Sequence, residues 1–229
     1  MNTQHTIFIP RHTPALSYAA QELVRHHLEL VASASDADTV LLPVPTPADL
    51  DWRIYRNCRI FGGNLAEPPQ NAVDFLMDDR YLAENAAITA EGAVSMILPN
   101  LQDRWADSPV LILGWGRIGK SLSSQLQHLN IPVHIYARKA ADLSMAAALG
   151  CIPFEAQNLP SYRCIVNTAP AEILSEEDLK KIRPDCFLLE LASGKYLPHE
   201  RVTPGRGLPG KYKPEASGKL IAKTLCKYL

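Results

Sequence analysis

Residues 108–139 read SPVLILGWGRIGKSLSSQLQHLNIPVHIYARK, and this stretch decides the fold. A first apolar run predicts a strand, apolar residues at helical spacing follow it, and a second apolar run predicts another strand. Three glycines in the order G-x-G-x-x-G follow the first strand and open the helix. In a strand–helix–strand context, this spacing is typical of the turn that binds the pyrophosphate of a dinucleotide.

The three glycines have separate tasks in such a turn. Gly114 permits the tight bend, Gly116 lets the backbone approach the pyrophosphate, and Gly119 allows the helix to pack closely on the strand. The amides at the start of the helix would then hold the anion. The residues predicted to form this part of a dinucleotide site are Gly114, Gly116, Arg117, Ile118 and Gly119.

Two cations, Arg138 and Lys139, follow the second predicted strand. An acidic residue at this place would bind the ribose 2′-hydroxyl of NAD and repel a phosphate. Two cations can instead pair with the 2′-phosphate of NADP. The sequence therefore favours NADP(H), with NAD(H) as the alternative. Arg117, beside the turn, is either part of the same phosphate pocket or a surface residue.

The bulk composition is that of an ordinary globular protein. The chain has 229 residues, of which 47% are hydrophobic and 21% are charged, and its net charge is -1. The absence of a basic excess does not favour nucleic acid, and the apolar runs are too short to cross a membrane. Without a signal-peptide pattern, the expected location is cytoplasmic. The five cysteines form no C-x-x-C pair, so neither disulfides nor a metal site are indicated.

Alternating strand and helix patterns predict the α/β class: a Rossmann-type doubly wound parallel sheet with a smaller N-terminal α/β domain. The polar, proline-bounded stretch PNLQDRWADSP places the boundary between the two. The predicted divisions are an N-terminal α/β domain over 1–103, a dinucleotide-binding domain over 104–210, and a helix over 211–229. This last helix is expected to pack back across the junction between the domains.

The loops after successive parallel strands gather at one edge of a sheet, where ligands bind. The following residues are therefore expected beside the cofactor's ribose and nicotinamide: Thr168, Ala169, Pro170, Ala192 and Ser193. Each has an alternative interpretation as part of an ordinary strand-end turn. Gly92, inside a predicted helix, favours the close approach of either another helix or a ligand.

Several short stretches together resemble one known family, the A subunits of dipicolinate synthase, over roughly residues 73–229. The matching stretches are ITAEGAV (88–94), LGWGRIGKSL (113–122), YARKAADL (136–143), VNTAPAEIL (166–174), LLELAS (188–193) and GLPGKYKPEASGKLIAKTL (207–225). The first and last of these are specific to the family, whereas the glycine turn is shared by many families.

The resemblance implies a cytoplasmic enzyme of sporulating bacteria that oxidises a dihydrodipicolinate-type intermediate to dipicolinate. It also implies a nicotinamide cofactor and, as partner, a separate, flavoprotein-like B subunit. Among the matched residues, Glu91 is suited to act as a general base, although a surface role is equally open. Thr89 is the second residue of the same matched stretch, and Lys211 would place a cation near a small dicarboxylate substrate. These three are the candidate catalytic residues.

The chain departs from the family pattern in two places. Its N-terminal unit looks shorter, and GKYLPHERVTPGR (194–206) stands where the family carries a PGG-type loop, a helix and a strand. A 2-hydroxyacid dehydrogenase is a second interpretation, but Ser193 and Gly194 occupy the place of its arginine. His199 and Glu200 are adjacent, in a loop, and need not form that class's histidine–carboxylate pair. A non-catalytic, cofactor-sensing or scaffold protein is the third. The oligomeric state, including a homo-oligomer, stays open.

Overall fold

The computed structural model of the chain describes residues 5–194, 196–197 and 200–229. It divides into two compact units. The first unit contains the chain up to Ile88 together with Pro209–Leu229, and the second contains Thr89–Leu208. The boundary therefore lies at residue 88, whereas the sequence pattern placed it near residue 103. A single helix carries the chain through this point, so no polar linker marks the change of unit.

The described residues contain eleven strands and seven α-helices. The strands are β1 (Thr6–Phe8), β2 (Glu29–Val31), β3 (Thr39–Leu41), β4 (Arg59–Gly62), β5 (Ala72–Asp74), β6 (Val110–Leu113), β7 (Val133–Tyr136), β8 (Ile152–Pro153), β9 (Cys164–Asn167), β10 (Phe187–Glu190) and β11 (Val202–Pro204). The helices are α1 (Pro14–Arg25), α2 (Asp79–Ile97), α3 (Arg117–His128), α4 (Ala140–Ala148), α5 (Glu176–Lys181), α6 (Leu208–Tyr212) and α7 (Pro214–Tyr228). None of the helices in this described part of the chain is long and apolar enough to cross a membrane.

The first unit is built on a parallel sheet in the order β2-β1-β3-β4-β5. Its helix α1 starts at Pro14, because the Thr13 side chain accepts a hydrogen bond from the Leu16 amide at 3.2 Å and proline suits the first helical position. Helix α7 packs against α1, and a Cβ at Gly218 would overlap the Ala15 carbonyl oxygen. The last helix is therefore an integral part of this unit. Its predicted position across the junction stays a prediction.

The second unit is built on a six-stranded parallel sheet in the order β11-β10-β9-β6-β7-β8. This is the strand order of the doubly wound dinucleotide-binding fold, and the winding direction reverses between β6 and β9. The central strands are buried along their whole length because helices cover both faces of such a sheet. The predicted fold class, a Rossmann-type sheet accompanied by a second α/β unit, is confirmed.

Gly92 lies on the part of α2 that belongs to the second unit. A Cβ at this position would stand 3.0 Å from the Leu208 Cβ. The sequence left open whether a helix or a ligand approaches here, and the structure identifies the start of α6. The glycine therefore serves the packing of one helix on another.

The cysteine thiols belong to the interior. Cys58, Cys151, Cys164 and Cys186 are buried and Cys226 is half-buried. Burial raises the pKa of each of these thiols, and it raises that of Cys186 to about 12. The thiols are therefore protonated near neutral pH and act as small apolar side chains.

Candidate dinucleotide-binding site

The glycine turn between β6 and α3 has the geometry that its spacing predicted. Gly114 has φ +116°, and a Cβ there would stand 2.7 Å from the Thr168 Oγ1. A Cβ at Gly119 would overlap the carbonyl oxygen of Gly114. Gly116 differs, because a Cβ there would meet nothing within 4 Å. Two of the glycines are therefore required by the protein's own packing, and the middle one borders open space.

The N-terminus of α3 faces this open space. Gly116 is the N-cap residue, and no side chain in the described part of the protein caps the helix. The first amides of any α-helix lack carbonyl partners within the helix, and the helix dipole adds partial positive charge at this end. Arg117 is exposed and Ile118 is half-buried. The turn thus has the donor groups, the charge and the room that a pyrophosphate requires.

The strand register brings the two predicted cations to the same edge of the sheet. Leu113 pairs with Tyr136, and the Gly114 amide donates to the Tyr136 carbonyl oxygen at 2.9 Å. Arg138 follows β7 almost directly, and both it and the next residue, Lys139, are exposed. Within the described residues neither side chain has a hydrogen-bond or ion-pair partner. Lys139 is also the N-cap residue of α4, which no described side chain caps.

The loop after β9 is fixed to the glycine turn. The Thr168 amide donates to the Leu113 carbonyl oxygen at 2.8 Å, and the Thr168 Oγ1 donates to the same oxygen at 3.1 Å. The single hydroxyl proton of Thr168 is therefore already used in a hydrogen bond, so this oxygen can only accept a hydrogen bond from a ligand. Ala169 is half-buried and Pro170 is exposed. These three residues lie where they were predicted, at the carboxyl end of β9.

The loop after β10 is organised by Glu190, a residue that the sequence pattern did not single out. Glu190 is only 4% exposed, and its carboxylate accepts a hydrogen bond from the Asn167 Nδ2 at 2.9 Å. It also accepts hydrogen bonds from the backbone amides of three loop residues, which are Ala192, Tyr196 and Leu197. In this loop Ala192 is buried and Ser193 is exposed. The available signal was a polar residue at the end of each of two otherwise apolar buried strands.

The candidate catalytic residues are divided between the two units. Thr89 and Glu91 belong to the second unit and are two positions apart on α2, so their side chains leave opposite sides of the helix. Thr89 is 7% exposed and Glu91 is exposed. Lys211 lies on α6, within the segment that belongs to the first unit, and is exposed. Glu200 is exposed, and His199 lies outside the described residues.

Known proteins resemble this chain in sequence and in structure, although no family model matches it. It is 27% identical over 197 residues to the dipicolinate synthase A subunit of Bacillus subtilis. The match covers 77% of this chain and 66% of that relative's length, just under two thirds. The crystal structure of the dipicolinate synthase A subunit from Bacillus halodurans matches with a TM-score of 0.83 at 20% identity, covering 100% of this chain and 98% of that one.

A dehydrogenase outside that family shares the same fold. D-lactate dehydrogenase from Escherichia coli matches with a TM-score of 0.66 at 11% identity, covering 97% of this chain and 95% of that one. The glycine turn and the strand order of this chain agree with the fold of these relatives. The resemblance that the short motifs indicated is confirmed: in sequence and in fold, this chain resembles the A subunits of dipicolinate synthase.

Proposed function

We propose that this chain is an NADP-linked oxidoreductase of the same type as the A subunits of dipicolinate synthase. The observation that carries the proposal is a glycine turn with an uncapped helix N-terminus, beside two cations whose side chains have no partners in the described chain. In NADP, the pyrophosphate would supply an anion at the turn, and the 2′-phosphate would supply a second anion beside Arg138 and Lys139.

The residues present fit a nicotinamide dinucleotide. The open space at Gly116 has room for a pyrophosphate. The loops after β9 and β10 would line the nicotinamide site with Ala169, Pro170, Ala192 and Ser193. When bound, the nicotinamide supplies the acceptor for a hydride. The protein's own contribution would be to bind, orient and shield the reacting groups.

The substrate proposed is a dihydrodipicolinate-type dicarboxylate, with dipicolinate as product. Lys211 would act as a point charge for one carboxylate, and Glu91 would accept a proton. The relative in Bacillus subtilis is one named subunit of a synthase, which supports a B subunit in the role of partner. The exposed positions of Lys211 and Glu91 suit such roles.

The cofactor assignment is tested by replacing Arg138 and Lys139 with glutamine and measuring Kd for NADPH and NADH. Loss of charge-assisted hydrogen bonds to a phosphate, worth about 1.5 to 3 kcal/mol, should weaken NADPH binding by about tenfold to a hundredfold. NADH binding should change little. The matched control is Lys180→Gln with Lys181→Gln, an adjacent cation pair near the end of α5. An equal loss for both cofactors would contradict the NADP assignment.

The reaction is tested by assaying dipicolinate formation with the purified chain, alone and with a B subunit. We expect low activity alone and a clear gain with the partner, because the chain offers few anchors for two carboxylates. Lys211→Ala should lower turnover or substrate affinity and leave NADPH binding nearly unchanged. Cofactor binding without any turnover, in either condition, would favour a sensor or scaffold protein. Oxidation of simple 2-hydroxyacids would favour the dehydrogenase alternative.

A further inference from the structure

The carboxyl ends of β9 and β10 carry a buried polar pair. Asn167 and Glu190 are direct partners in the strand register and are 1% and 4% exposed. The Asn167 Nδ2 donates to both carboxylate oxygens of Glu190, at 2.9 and 3.2 Å. Two polar side chains at adjacent strand ends are thus removed from water and joined to each other.

The same pair holds both loops that leave these strands. The Asn167 side chain bonds to both backbone groups of Ala169: Oδ1 accepts from its amide at 3.1 Å, and Nδ2 donates to its carbonyl oxygen at 3.0 Å. The Glu190 carboxylate accepts hydrogen bonds from the backbone amide of Ala192 at 3.1 Å and from those of Tyr196 and Leu197 at 3.0 Å. One connected network therefore holds the backbone at Ala169 after β9 and at Ala192, Tyr196 and Leu197 after β10.

A buried carboxylate is stable only where donors satisfy it, and here four donors do so. An apolar pair could join the two strands equally well, but it could not orient the loop amides. Fully satisfied buried networks of this kind favour a single conformation of the groups attached to them. The feature that depends on Asn167 and Glu190 is therefore the shape of the loops carrying Ala169 and Ala192.

We propose that Asn167 and Glu190 are positioning residues for the nicotinamide half of the cofactor. This assignment rests on the proposed function, since it requires that a nicotinamide dinucleotide binds. The pyrophosphate and the adenosine half would contact the glycine turn, Arg138 and Lys139, to which neither side chain of the pair is bonded. Disturbing the network should therefore displace the loops that carry Ala169 and Ala192, which would contact the nicotinamide. Binding of the pyrophosphate and the adenosine half should stay intact.

The test compares NADPH with 2′-phospho-ADP-ribose, which lacks the nicotinamide, in the wild type and in Glu190→Gln. The amide has nearly the volume of the carboxylate, but its NH2 group cannot accept from the loop amides. We expect Kd for NADPH to rise about tenfold, equivalent to about 1.4 kcal/mol, and Kd for the fragment to change less than about twofold. Titration calorimetry measures both constants on the full chain.

The matched control is Tyr162→Phe, which removes a hydrogen bond to His134 in the same unit and should alter neither Kd. If Glu190→Gln does not fold, Asn167→Ala leaves the carboxylate and its three backbone donors in place and carries the same comparison. Equal weakening of both ligands, or no change in either, would overturn the assignment. A wild-type chain that binds neither ligand would overturn the proposed function and this assignment with it.

Discussion

Helices α1 and α3 occupy equivalent places, each following the first strand of its own parallel sheet, yet their N-termini differ. At the N-cap of helix α1, the Thr13 side chain accepts a hydrogen bond from the Leu16 amide, and the first helical residue, Pro14, has no amide proton. Helix α3 begins with Gly116, and no side chain in the described chain caps it. The first unit satisfies its own helix terminus, whereas the second leaves the terminus of α3 uncapped within the described residues. Under the proposed function, the missing cap is what leaves the amides of α3 available to a pyrophosphate.

The largest expected effect comes from Gly119→Ala. The new Cβ would overlap the backbone carbonyl oxygen of Gly114, which cannot rotate away as a side chain could. We expect the free energy of unfolding to fall by about 3 kcal/mol and NADPH binding to be lost. Urea unfolding and titration calorimetry measure the two effects. Gly62→Ala, where a Cβ would stand 2.5 Å from the Thr46 Oγ1 in the first unit, should lower stability without abolishing binding.

Gly116→Asp gives α3 the kind of cap that α1 already has. The backbone at Gly116, with φ -82° and ψ -168°, accepts any residue, and a Cβ there meets nothing within 4 Å. We expect stability to rise by a few tenths of a kcal/mol, roughly the difference between glycine and aspartate caps. NADPH affinity should fall by about a hundredfold or more, because the carboxylate occupies and repels the pyrophosphate. If Gly116→Asp binds NADPH as tightly as Gly116→Ala, the anion does not lie at this helix.

Thr13→Ala removes the cap of α1 and makes the reciprocal change in the first unit. We expect a loss of about 1 kcal/mol in the free energy of unfolding, because the Leu16 amide loses its acceptor. Cofactor affinity should not change. Thr13→Ser retains the hydroxyl and should keep most of the stability, which separates the hydrogen bond from other effects of the substitution. A change in NADPH affinity with Thr13→Ala would show that the two helix termini are not independent.

The smallest effect is a pH dependence at the start of α2. Asp78 accepts a hydrogen bond from Lys227 Nζ at 2.6 Å, and also from the Tyr81 amide and the Tyr228 hydroxyl. The Lys227 ammonium, followed by the Tyr81 amide, holds the pKa of the Asp78 carboxyl well below its usual range. Its stabilisation is therefore complete above about pH 4, the unfolded-state value for aspartate, and is lost as the pH falls below that.

The pH dependence is measured by comparing urea midpoints of the wild type and Asp78→Asn between neutral and acidic pH. The difference between the two proteins should be largest at neutral pH and should shrink as the pH falls below about 4. A difference that stays constant over this range would contradict a role for the Asp78 charge.

The glycine turn could be predicted because each of its requirements is local. The bend at Gly114, the close packing at Gly119 and the space at Gly116 depend on neighbours within a few residues or on the adjacent strand. The domain boundary could not be predicted in this way, since the residues that mark it belong to one uninterrupted helix with no breaker at position 88.

The hydrogen-bond network of Asn167 and Glu190 could not be predicted from the sequence, for a different reason. Each residue ends a strand, and a polar residue at a strand end is ordinarily the start of a turn. That both are buried and bonded to each other depends on the pairing of two strands 23 positions apart. Thr89 and Glu91 were grouped by their place in one motif, although their spacing on a helix separates them.

The division of the chain also has a consequence for how the protein is made. The second unit, Thr89–Leu208, is one continuous segment, whereas the first needs α7, whose Leu220, Ile221 and Leu225 lie in its core. During translation the ribosome delivers α7 after every other element of both units. The second unit can therefore fold once its continuous segment has left the ribosome, while the earlier elements of the first unit must wait for α7. A chain truncated before α7 would lack these three side chains, and the core of its first unit would be incomplete and exposed.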